Sequence, residues 1–210
     1  MVAPCRATSK PTTGCLSSAS IENPDWHDET NRSATRTAKD APSTVGQMRF
    51  DPYAKGTQWY QDVLLLAGHL AHGPLDAAIC QLVEVRVSQI TGCAFCLGLH
   101  TDWARRAGVD QTKLDTLAGW REASDFDRRE RAALDLAEAM TRIGDGQRVD
   151  EPIWLAAREQ FDDDELAELL FLVGLINVWN RINVAVELPK DHELPKRATP
   201  ATTKWTGSRP

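Results

Sequence analysis

Between Thr57 and Val186 apolar residues recur every three to four positions, and nearly every run is closed by glycine, proline or an acidic cluster. A chain with that period can bury its apolar surface only as packed helices. From Thr57 to His72 the positions Tyr60, Val63, Leu64, Ala67, Leu70 and Ala71 form one stripe, stopped by Gly73-Pro74. Further helices are expected over Leu75 to about Ile90, Cys93 to Ala107 with Gly108 as the stop, and Gln111 to Trp120. A fifth opens at Asp125 or Asp127 and closes at Gly144-Asp145-Gly146. Asp150-Glu151-Pro152 has the acidic cap and early proline of a helix start, and the acidic run Asp162 to Glu165 opens the last helix, which continues to about Val186. Only Val83 to Ser88 alternates like a strand. Ile79, Val83, Val87 and Ile90 also fit a helical face, and a lone strand would have no partner, so the segment is read as helix and the fold class as all-α, of about seven helices.

Composition separates the ends from the middle. Residues 1 to 46 hold 21 Ser, Thr, Pro, Gly or Asn against five Val, Ile, Leu or Met, too little apolar surface to offset the entropy of ordering, and are expected to be disordered. They contain no apolar core of a secretory signal. Arg6 and Lys10 among Ser and Thr leave a transit peptide as an alternative, and core-like sequence starts at Met48, a candidate translation start. Residues 192 to 210, with three prolines and a charge of +3, read as a second flexible tail. The helical domain, residues 47 to 191, has 15 basic and 24 acidic side chains, a net charge of -9 within a total of -6, so nucleic acid is not an expected partner. No run approaches the roughly 18 consecutive apolar residues of a membrane span. Five cysteines, an odd number, argue against a disulfide-stapled secreted fold and for a reducing, cytoplasmic setting.

The residues that carry chemistry are Cys93-Ala94-Phe95-Cys96 and His100. Two cysteines three apart on a helix bring their sulfurs to one side, and His100 extends the stripe. Thr91-Gly92 marks a break and cap, so the pair falls in the first turns of a helix, where free backbone N–H groups and the helix dipole favour a thiolate. The alternatives are a zinc half-site completed by Cys80 and His100, or small buried hydrophobes, as Cys80 is read by itself.

The stretch Leu82 to His100, with Thr91-Gly92-Cys93-Ala94-Phe95-Cys96-Leu97-Gly98-Leu99-His100 at its end, resembles the core of the carboxymuconolactone decarboxylase and AhpD-like alkylhydroperoxidase superfamily. Asp51-Pro52-Tyr53, Ala118 to Ala123, Arg128 to Leu134 and Ile176 to Arg181 resemble its flanking segments in the same order. The resemblance implies an oligomeric helical protein with peroxidase and disulfide-reductase chemistry, needing a hydroperoxide and an external dithiol but no metal or organic cofactor. By it Cys96 is the peroxide-attacking thiolate, Cys93 the resolving thiol and His100 part of a proton relay. The family's acidic relay position falls on Gln81, which cannot take a proton at neutral pH, and Phe95 stands where some members carry histidine. Glu84, one turn after Gln81, is the candidate replacement, with a solvated helix residue as the plainer reading. A lactone-type decarboxylase is disfavoured by the intact cysteine pair; a non-enzymatic redox-sensing or zinc-stabilised oligomer is the other alternative. The last helix, apolar nearly all round at Leu169 to Val173 and Leu175, is expected to be covered by other helices or a second subunit.

Overall fold

Helix α2 (Ala77–Thr91) is the axis of the structure, a computed structural model that describes residues 48–143 and 148–194. Its Asp76 side chain caps the first turn by accepting from the Ala78 and Ile79 amides. Ile79, Cys80, Val83 and Val87 point into one apolar cluster, and Leu82 and Val85 point into another. Burial on two sides is what produces the strand-like alternation of Val83 to Ser88; the segment is helical throughout, as its 3.6-residue period requires.

Around α2 lie α1 (Gln58–Leu70), α3 (Ala94–Arg106), a short α4 (Gln111–Thr116) continued by a 3-10 turn, α5 (Arg128–Thr141), α6 (Glu151–Gln160) and α7 (Asp163–Ala185). Among the described residues there are these seven α-helices and no strand. Two of the acidic starts are full capping boxes: Asp127 with Glu130 opens α5, and Asp162 with Glu165 opens α7. The larger cluster joins α2 to α5, α6 and α7 through residues such as Val83, Leu136, Ala157, Leu169 and Ile176. The smaller one packs Leu82 and Val85 on Leu117, Trp120, Phe126 and Leu134.

Helix α7 corrects the expectation that nothing here could span a bilayer. At 23 residues and a mean hydropathy of 1.2 it is long and apolar enough by length and composition alone. In the fold it packs on α1, α2, α3, α5 and α6, with Leu169, Val173 and Ile176 buried, which accounts for the apolar residues of that face. At the start of the segment read as a flexible tail, the His192 amide donates to the Pro189 carbonyl and Leu194 packs on the larger cluster. The expected disorder of residues 1 to 46, and of the tail beyond Leu194, lies outside the described residues.

Candidate active site

Gly92 ends α2 in the left-handed region at φ 72°, so α3 can begin at once. This makes Cys93 the N-cap of α3, where its Sγ accepts the Cys96 amide at 3.3 Å, a place usually held by Ser, Thr or Asp oxygen. Both cysteines are 2% exposed and unbridged. The sequence expectation of a cysteine pair in the first turn of a helix is met in detail.

Two turns along, His100 turns its Nδ1 to Glu84 Oε2 at 3.0 Å and to Gln81 Oε1 at 3.2 Å. Gln81 Nε2 in turn donates to Glu84 Oε2 at 2.6 Å. With oxygens facing it, Nδ1 holds the ring proton, and Nε2 is left as the basic nitrogen. Glu84 is therefore no solvated helix residue: it is the carboxylate that orients the imidazole, and Gln81 braces it. All five residues singled out from the sequence meet within the α2–α3 contact.

Asn183 and Tyr53 complete the site. Asn183 Nδ2 donates to Cys96 Sγ at 3.2 Å, and Asn183 Oδ1 accepts from the Tyr53 hydroxyl. Both side chains are buried. Sequence reasoning noted Asp51-Pro52-Tyr53 and Ile176 to Arg181 as segments but assigned no role to Tyr53 and stopped short of Asn183. The available signal was helical register: Ile176, Asn180 and Asn183 share the buried face of α7.

Cys96, Gln81, Glu84, His100 and Asn183 line a cavity of about 200 Å³ whose other walls are mainly apolar, among them Leu64, Leu99, Trp103 and Trp179. Cys93 does not line it. One sulfur thus faces the chamber and the other stands behind it.

Charge on the pair follows the same asymmetry. The Cys96 side chain donates to Cys93 and, together with the Cys96 and Asn183 N–H donors and nearby His100, outweighs burial, bringing the Cys93 thiol down to about 7. Because the Cys96 proton is engaged by Cys93 and the sulfur is buried, the Cys96 thiol is pushed well up. The two thiols are coupled, and the donors around them favour a state in which the pair shares one proton. Cys80, which also lines the cavity, is pushed up to about 12, first by burial and then by Glu168 and Glu84, which disfavours its thiolate. Among the described residues no group of three or more His, Cys, Asp or Glu is placed to hold a metal ion.

Residues 58–139 match the carboxymuconolactone decarboxylase family. The uncharacterized protein YdfG of Bacillus subtilis is 37% identical over 106 residues, half of this chain and 71% of that protein. YnjA of Escherichia coli, also uncharacterized, is 35% identical over 116 residues, 55% of this chain and 63% of that one. Among solved structures, a protein of unknown function from Agrobacterium tumefaciens, ATU0492, whose description connects it to the antioxidant defence protein AhpD, superposes with a TM-score of 0.64 at 29% identity, covering 70% of this chain and all of the other.

Proposed function

The chain belongs to the carboxymuconolactone decarboxylase family, and from that premise we propose that it is a thiol-dependent peroxidase, reducing hydroperoxides through a dithiol–disulfide cycle at Cys93 and Cys96. The observation that carries the reading is the convergence of Cys96 Sγ and the Glu84–His100 pair on one cavity, with a second sulfur directly behind the first.

The resting proton arrangement supplies the nucleophile. Transfer of the Cys96 proton to the Cys93 thiolate places the charge on the sulfur that faces the cavity. Cys96 then attacks the terminal peroxide oxygen: an S–O bond forms, the O–O bond breaks, Cys96 becomes a sulfenic acid, and the alkoxide leaves. His100, held at Nδ1 by Glu84, takes up a solvent proton at its basic Nε2 and passes that proton on, turning alkoxide into alcohol. The Cys93 thiol next attacks the Cys96 sulfur; the S–S bond forms and hydroxide departs with the Cys93 proton as water. An external dithiol, acting by exchange, restores the pair.

The test is peroxide-dependent loss of two titratable thiols, reversed by a dithiol. Cys96→Ser should abolish consumption, whereas Cys93→Ser should complete one turnover and stall at a sulfenic acid trapped by dimedone. Equal behaviour of the two variants, or activity in both, would remove the proposal.

A further inference from the structure

We infer that Asn183 is a catalytic hydrogen-bond donor to the Cys96 sulfur and that Tyr53 is the positioning residue that holds the Asn183 amide in the orientation this requires. The inference rests on the peroxidase reading for its role in turnover, but its geometry stands apart from that reading.

An asparagine amide offers a donor at one end and an acceptor at the other, and the two ends serve opposite states of a sulfur. Nδ2–H stabilises a thiolate; Oδ1 stabilises a thiol, by accepting its proton. With its neighbours removed, a buried amide beside a neutral cysteine would turn Oδ1 toward it. Tyr53 prevents this. Its hydroxyl donates to Asn183 Oδ1, and no other acceptor is found for that proton among the described residues. Were the amide reversed, the phenolic proton would be left buried and unpaired, a cost comparable to the bond itself. Burial and the charge that forms on Cys96 hold the phenol protonated well above its usual range, so it remains a donor.

Tyr53 is itself fixed on several sides. Its amide donates to Asp51 Oδ1 at 2.8 Å, and its ring packs on Tyr60 and Trp179 at centroid distances of 5.0 and 5.8 Å. Four residues earlier the Arg49 amide donates to the Val186 carbonyl at 2.9 Å, tying this segment to the end of the helix that carries Asn183. The segment before α1 and the last turns of α7 thus build one clamp on the attacking sulfur.

The experiment uses the full chain with Cys93→Ser, in which Cys96 titrates without its partner. The rate of Cys96 alkylation by iodoacetamide is followed against pH, with mass spectrometry assigning the site. Adding Tyr53→Phe, which keeps the ring and deletes only the hydroxyl, should raise the apparent pKa of Cys96 by roughly half a unit or more, and Asn183→Leu should raise it further, in line with loss of a bond to a charged group. In the chain with both cysteines, Tyr53→Phe should slow peroxide consumption roughly three- to tenfold with an unchanged circular-dichroism spectrum. An unshifted alkylation profile in Tyr53→Phe overturns the inference even if Asn183→Leu does not fold. Absence of peroxide consumption in the unmodified chain would instead defeat the peroxidase reading, while a shifted alkylation profile would still uphold the clamp.

Discussion

The carboxylate of Glu84 meets the imidazole of His100 at 3.0 Å, across the contact between α2 and α3, while the position where the family resemblance implies an acid holds Gln81. One helical turn separates the two residues, so both reach the same ring, and the glutamine also donates to the glutamate.

Glu84→Gln removes the charge that orients His100 and should lower peroxide turnover roughly a hundredfold, as loss of a general acid–base partner does. Gln81→Glu should bring little gain, because it sets a second carboxylate against the first. Steady-state peroxide consumption reads both. An unchanged rate in Glu84→Gln would take the carboxylate out of the relay.

The pH dependence follows from the thiol lowered to about 7. Below that value the pair holds both protons and lacks a thiolate; above it the charge is present. Peroxide consumption should therefore rise nearly tenfold between about pH 6 and about pH 8 and then level. A profile flat across this range would mean that the pair does not supply the nucleophile.

Away from the site, Glu138 is a structural hub. It accepts from Arg86 Nε at 2.6 Å, Trp120 Nε1 at 2.8 Å and Arg121 at 2.7 Å. Burial pushes its carboxyl up, yet these three donors outweigh burial and hold it below the usual range. The sign is that of a depressed acid: its stabilisation is present above the ordinary glutamate range and is lost as pH falls through the lowered value. Glu138→Gln leaves the half-buried Arg86 without its counter-charge and should cost about 3 kcal/mol, a fall in Tm of roughly 10 °C in a domain of this size. Thermal unfolding by circular dichroism checks it.

Gly73 packs its Cα against the Glu168 carboxylate, which accepts the Leu75 amide at 2.7 Å. A methyl group at position 73 would occupy the same space as that carboxylate. Gly73→Ala should displace it, break the bond that ties the α1–α2 connection to α7, and destabilise by about 1–3 kcal/mol, read from urea unfolding.

Phe171, Val178 and Ile182 form an exposed apolar stripe on α7, with Phe171 63% exposed. The chain is expected to associate with further copies of itself through this face, and Phe171→Glu to reduce the mass measured by light scattering at micromolar concentration. A monomeric mass for the unmodified chain would exclude the association.

The sequence by itself determined the helices and the identity of the cysteine pair. The reason is local: a 3.6-residue apolar period, acidic caps such as Asp127 and Asp162, and a glycine at position 92 act within a few residues of where they stand. It also placed Gln81, Glu84, Cys93, Cys96 and His100 on two neighbouring helices. Only the tertiary structure decided that Glu84 and not solvent receives His100, that Cys96 faces the cavity while Cys93 stands behind it, and that Asn183 and Tyr53 clamp the sulfur. Those contacts join residues as far as 130 positions apart. Side-chain register along one helix cannot specify them, because they depend on how three helices and the segment before α1 pack together.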